Sequence, residues 1–213
     1  MSDASNPAGL TVSERKYDIA LPQANLLVRL VTGISGIPLP RDLCSSDSVD
    51  QLLRDGDARA AVVVGTNPTL VAAYSDEFDS VIILKIPPSQ TTDIDLRMGT
   101  RLIGVFNYLG SVNTSRDISF GEHATSRFRN AEPLIGDLLS DDVTRLMELK
   151  QCISEPEWRR AQQLGEARIQ ERPNLYRLHR PGSTRTIKGD TLIAVIVAVL
   201  LVGALVVGLW MFA

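Results

Sequence analysis

Asp117, Ser119, Glu122 and His123, all within the polar loop 110–126, are the residues of this 213-residue chain best placed by type and spacing to do acid–base chemistry together. A histidine titrates near neutrality, and a carboxylate that accepts one ring N–H fixes which nitrogen faces a substrate. The set therefore predicts a hydrolase-type site, with His123 and Asp117 as its catalytic candidates. Sequence proximity argues the other way, because members of a catalytic triad are brought together from distant segments. An exposed loop histidine is the competing expectation. The second histidine, His179, falls in a segment that reads as a linker and is set aside on that ground.

Other chemistry is thinner. Cys44 has one basic neighbour, Arg41, to lower its thiol pKa, and in a body read as cytoplasmic Cys44 and Cys152 are both expected to be reduced thiols. No Cys-x-x-Cys pair and no Cys/His cluster occurs, so no structural metal is expected. The glycines never reach a phosphate-cradling pattern, and 64–68 (VGTNP) lacks the lysine a phosphate loop needs, so no cofactor is expected. The aspartates at 42, 47, 50, 55 and 57 do not match a calcium loop and read as a solvated face. Asp76, Glu77 and Asp79 read as the tip of a hairpin.

These residues have to be held by elements of the right kind. Residues 60–64 (AAVVV) form a buried strand, and 81–86 (VIILKI) form another. Between them, 68–78 fits either a crossover helix opened by Pro68 or a third strand followed by a hairpin turn. About ten residues is the minimum for a crossover, so the antiparallel meander is preferred. Residues 101–109 (RLIGVFNYL) carry the β-branched and aromatic types of a strand. Helical signals lie at 22–32 and 48–54, then after Ser140-Asp-Asp, where Val143, Leu146, Met147, Leu149 and Ile153 make an apolar stripe. Ser154-Glu-Pro-Glu157 has the form of a capping box opening a further helix through Trp158, Ala161, Leu164 and Ala167. Tyr17 to Leu21 begins either a short strand or a helix.

The stretch 98–106 (MGTRLIGVF) is similar to the groove motif of the apoptosis-regulator helical bundles, a Gly-Arg step followed by apolar residues. An extra residue separates Gly99 from Arg101, and the Val/Ile runs at 61–64 and 81–86 do not belong in an all-helical body. No family follows from it.

The C-terminal stretch 191–213 contains no charge and no proline. As a helix rising about 1.5 Å per residue it spans about 34 Å, enough to cross a hydrocarbon core of about 30 Å. Arg177, Arg180, Arg185 and Lys188 flank it, and basic flanks stay cytoplasmic, while Trp210 falls where an interfacial aromatic belt lies. Ala194, Ala198, Ala204 and Gly208 share one face and allow close approach of a second copy, a homodimer through the span. Hydroxyls at Ser183, Thr184 and Thr186 among these bases are sites where phosphate would loosen lipid contact.

Six basic and two acidic residues between 168 and 190, against −3 for the whole chain, leave 1–167 with a charge of −7. An acidic body argues against nucleic acid as a partner. The layout expected is a disordered leader over 1–14, a soluble α+β domain over 15–170, a basic juxtamembrane linker over 171–190 and a transmembrane helix over 191–213. The domain is expected to hold a small, mostly antiparallel sheet of three to five strands with a C-terminal helical pair. Such a chain reads as a single-pass, C-terminally anchored interaction or regulatory module, its N-terminal domain cytoplasmic and its partners a lipid bilayer and a protein. The alternative is a membrane-anchored hydrolase-type enzyme using loop 110–126 with His123.

Overall fold

The computed structural model describes residues 6–20, 46–110 and 113–181. Contacts divide the chain into two units, Met1–Gly182 and Ser183–Ala213, and the description concerns the first. The helix expected over 22–32 and the membrane span expected over 191–213 lie outside the described residues. Among those described, no helix is long and apolar enough to cross a membrane.

The class is α+β. A six-stranded mixed sheet curls into a half-barrel with helices packed on it. Its strands are β1 (Asp57–Thr66), β2 (Thr69–Ser75), β3 (Ser80–Lys85), β4 (Arg101–Leu109), β5 (Asn130–Ile135) and β6 (Arg177–Leu178), in the order β5-β4-β1-β2-β3-β6. The first three form the antiparallel meander, with Ala61 opposite Ala73 and Ala73 opposite Ile82. β4 returns antiparallel to β1, β5 antiparallel to β4, and only the short β6 runs parallel, against β3. The helices are α1 (Glu14–Ala20), α2 (Ser46–Asp55), α3 (Val143–Cys152) and α4 (Glu155–Glu171).

β1 is apolar without a break from Ala60 to Val64 because both faces of the sheet are covered there. Alternate side chains point to opposite faces. Ala58, Ala60 and Val62 join Leu53 of α2, Leu146 and Leu149 of α3, and Trp158 and Ala161 of α4. Ala61 and Val63 face the inside of the half-barrel with Val71, Ile82, Leu102 and Phe106. The inner face is closed by chain outside the strands, including Phe78, Ile86, Ile118 and Leu138. A strand segment of 101–109 stands where the apoptosis-regulator motif would require helix.

α4 lies across β1, β2 and β3. It buries Trp158, Ala161, Gly165 and Arg168, one stripe at helical spacing. Gly165 is required by that crossing: a Cβ there would lie 2.4 Å from Ala72 Cβ and 3.0 Å from Val64 Cγ1. α3 starts with Asp142 accepting the Arg145 N–H at 2.9 Å. Only part of the stripe expected on α3 is used, since Leu146, Leu149 and Ile153 are buried whereas Val143 and Met147 are 64% and 56% exposed.

Two boundaries differ from those expected. Residues 6–13, read as leader, are built into the sheet's outer layer. Ala8, Gly9 and Leu10 donate backbone N–H groups to Gly56, Arg54 and Leu53, and Ala8 and Leu10 are fully buried. Two small apolar side chains among polar ones suffice for this, because the neighbouring α2 end supplies free carbonyls. Beyond residue 170 the chain is also part of the unit: β6 pairs with β3, and His179 is 1% exposed. His179 is therefore a core residue and not part of a linker.

Candidate functional site

The β1–β2 ladder ends at Ala61 and Ala73, but neither strand stops there. β1 continues back to Asp57 along β4, and β2 continues to Ser75 along β3. The two strands part, and the gap between them collects a group of ionisable side chains.

Arg59 is at its centre. Its Nε donates to Asp57 Oδ2 at 2.7 Å, and its Nη2 contacts Asp76 Oδ2 at 2.8 Å. Glu157 enters from α4 and accepts the Ala60 N–H on Oε1 at 3.1 Å. The Tyr108 and Ser75 hydroxyls meet at 3.0 Å on the inner side. Nearby, Asp79 is 6% exposed and receives Arg160 Nη2 at 3.1 Å on each oxygen and the Tyr74 hydroxyl at 3.4 Å.

Burial sets the electrostatics. It raises the carboxyls of Glu157 and Asp76 above the ordinary carboxylate range, against the pull of the Ala60 N–H on the first and of Arg59 on the second. Burial and then the Asp79 and Asp76 charges push the Tyr74 hydroxyl up to about 12, and burial raises that of Tyr108. Burial disfavours the Arg59 cation, but Asp57 and Asp76 more than compensate. The cluster is three carboxylates around one fixed cation, two of which, Asp76 and Glu157, have their affinity for protons shifted upward. Chemically it can hold or release a proton, and it spans the seam between the sheet and α4.

The loop candidates do not come together. Asp117 is 7% exposed, and its carboxylate is held by two nitrogens of Arg177, one of them, Nη2, at 3.0 Å from Oδ1. Burial opposes its ionisation, but hydrogen bonds from Arg177 and Ser115 outweigh this and hold its carboxyl below the usual range. His123 is exposed, and its backbone N–H, not its ring, reaches Asp79 Oδ2 at 3.3 Å. Ser119 Oγ pairs with Ser80 Oγ at 3.0 Å. The loop is clamped on the β2–β3 turn, where Gly121 donates to the Phe78 carbonyl at 2.8 Å. Any Cβ at Gly121 would lie 2.3 Å from the Asp79 carbonyl oxygen.

Of the residues expected at a membrane interface, Arg177 instead crosses from β6 to Asp117, Asn130 and the Ala131 carbonyl. Arg180 is exposed. Arg185, Lys188 and Trp210 lie outside the described residues, as do Ala194, Ala198, Ala204 and Gly208. Among the described residues, no three His, Cys, Asp or Glu side chains group closely enough to hold a metal ion.

His179 fills a second polar position. Its Nε2 accepts the Ile135 N–H at 3.1 Å, so the proton is on Nδ1, which donates to Gln90 Oε1 at 2.5 Å. Gln90 Nε2 in turn donates to the His179 carbonyl at 3.2 Å. Burial lowers the imidazole pKa to about 4.

Sequence reasoning gave no role to Arg59 or Arg160, read Glu157 only as part of a capping box, put His179 in a linker and took Asp57 for part of a solvated face. Asp76 and Asp79 do lie in the β2–β3 turn, at the expected hairpin tip, but are engaged there. One signal was available: Arg59 is a charge inside an apolar strand, a position that needs a buried counter-charge.

Fold and polar seam together define an α+β protein with a half-barrel sheet whose strand gap is closed by ion pairs. No family model matches the chain, and no curated protein or solved structure matches it either.

Proposed function

We propose that the protein is a membrane-tethered interaction or regulatory module without catalytic activity, its folded unit cytoplasmic and offering an acidic surface to a protein partner. The observation that carries this is the uncharged run 191–213, separated by eight residues from the compact unit Met1–Gly182. The unit has 20 basic and 24 acidic residues and so a charge of −4. Arg180, Arg185 and Lys188 supply the positive flank that orients a span. The small-residue face of Ala194, Ala198, Ala204 and Gly208 allows two copies to pair in the bilayer.

Support for binding over turnover comes from what the reactive groups are engaged in. Asp117 is held by Arg177, His179 by Ile135 and Gln90, and Asp57 and Asp76 by Arg59. A cationic partner is steered toward such a surface, and the contact weakens as salt rises.

Alkaline extraction of membranes is the test. The full chain stays in the pellet, a chain ending at Gly182 is released, and protease added to sealed cells leaves the unit intact. Recovery of the intact full chain in the alkaline supernatant overturns the reading.

A further inference from the structure

We infer that the cleft beside the C-terminal end of α4 is a binding site for the phosphate group of a small phosphate ester. The cleft has a volume of about 460 Å³ and is lined by Arg116, Arg172, Pro173, Asn174 and Leu175. It is an open depression, with Arg116, Arg172, Pro173 and Asn174 exposed, and it is larger than a bare ion needs.

Several cations elsewhere in this unit are committed: Arg59, Arg101, Arg145, Arg160 and Arg177 each hold a carboxylate. Among the described residues, the guanidiniums of Arg116 and Arg172 have no hydrogen-bonded or ion-paired partner, and both residues line this cleft. Asp117 adjoins Arg116 in sequence but cannot neutralise it. Its carboxylate is taken by Arg177, and its carbonyl accepts Arg168 Nη2 at 2.9 Å. Arg116 and Arg172 therefore line the cleft beside a residue whose carboxylate and carbonyl are already engaged, in a unit whose net charge is negative. Opposing them are the C-terminal carbonyls of α4 and the exposed Glu171, which does not line the cleft. Two forked guanidiniums bind phosphate oxygens in pairs. The Asn174 amide adds a further donor, and Pro173 and Leu175 offer an apolar wall to the organic part of the ester.

The phosphate can belong to a lipid headgroup or to a free metabolite, and the inference stands apart from the tether. Full chain in non-ionic detergent is titrated calorimetrically with glycerol 3-phosphate and, separately, with dihexanoyl phosphatidic acid. The double variant Arg116→Gln, Arg172→Gln and the charge control Arg180→Gln are titrated alongside. Both cleft arginines are exposed, so the double variant keeps the wild-type unfolding midpoint. Binding of glycerol 3-phosphate that falls roughly tenfold or more in the double variant, but not in Arg180→Gln, supports the site and a free source. The same pattern with phosphatidic acid alone supports the site and a headgroup source. Absence of binding by either at millimolar concentration overturns the inference, as does binding that the double variant retains or that Arg180→Gln weakens equally.

Discussion

Glu157 of α4 accepts the backbone N–H of Ala60 in β1 at 3.1 Å, at the point where β1 has left its ladder with β2. A helix side chain thus stands in for a strand. Ser154 caps the helix, accepting the Glu157 N–H at 3.4 Å, but the glutamate side chain does not fold back to it. Removing the acceptor leaves a buried amide unsatisfied, which costs about 1–3 kcal/mol. Glu157→Ala should lose about that much in urea unfolding, whereas Glu157→Gln keeps an acceptor and should lose less than about 1 kcal/mol.

The same residue carries a pH signature. Burial raises the Glu157 carboxyl in the folded protein. Between the unfolded value and the raised folded one, the folded state binds more protons, so stability falls as pH rises through that window. Glu157→Gln removes this term. Its stability relative to wild type should therefore improve from acid toward neutral pH; a difference that is flat with pH would show the carboxyl to be an ordinary one.

The sheet was the legible part of the sequence, because β-branched runs at 61–64, 81–86 and 101–109 carry their own signal. The meander was preferred on loop length, and the register Ala61 to Ala73 and Ala73 to Ile82 bears that out. What escaped was everything that depends on tertiary partners. β6 is two residues long and pairs only because β3 offers an edge, so its sequence between Pro173 and Pro181 looks like linker. Arg59, Asp76 and Glu157 come from three separate elements, and no spacing rule joins them. The loop 110–126 drew notice as long and polar, yet its Asp117 serves Arg177, sixty residues further along the chain.

Gly165 tests the approach of α4 to the sheet. Replacing a mid-helix glycine with alanine ordinarily gains about 1 kcal/mol. Here the added methyl would sit 2.4 Å from Ala72 Cβ, and overpacking costs about 1–3 kcal/mol. Strand backbone cannot yield as a flexible side-chain end would, so Gly165→Ala should lower the thermal midpoint. A raised midpoint would mean that α4 lies further from β2.

The Arg177–Asp117 pair separates a structural role from a membrane one. With Asp117 7% exposed, losing the guanidinium strands a buried carboxylate, worth about 2–3 kcal/mol once the partial exposure of Arg177 is discounted from the range for fully buried pairs. Arg177→Gln should lower the urea midpoint accordingly and leave membrane recovery unchanged. Reduced membrane recovery at unchanged stability would return Arg177 to the interface.

His179 should make the protein acid-sensitive in a defined range. Its ring accepts from Ile135 and donates to Gln90, so there is no site for a second proton without breaking the bond from Ile135. Burial lowers its pKa from 6.5 to about 4. Between those values the unfolded chain binds a proton that the folded one does not, so stability is complete above about pH 6.5 and declines as pH falls toward 4. At about 1.4 kcal/mol per pKa unit, the loss over that span is about 3 kcal/mol. The opposite trend from Glu157 begins near the lower end of the same span, which makes a variant comparison necessary. His179→Gln can still accept from the Ile135 N–H but cannot be protonated. It should start less stable than wild type at neutral pH, because the smaller side chain fills the site less well, and the gap should narrow as pH falls from 6.5 to 4. A resonance assigned to the His179 imidazole, as by its loss in His179→Gln, that titrates near 6.5 in the folded protein would place that ring in solvent and dissolve the argument.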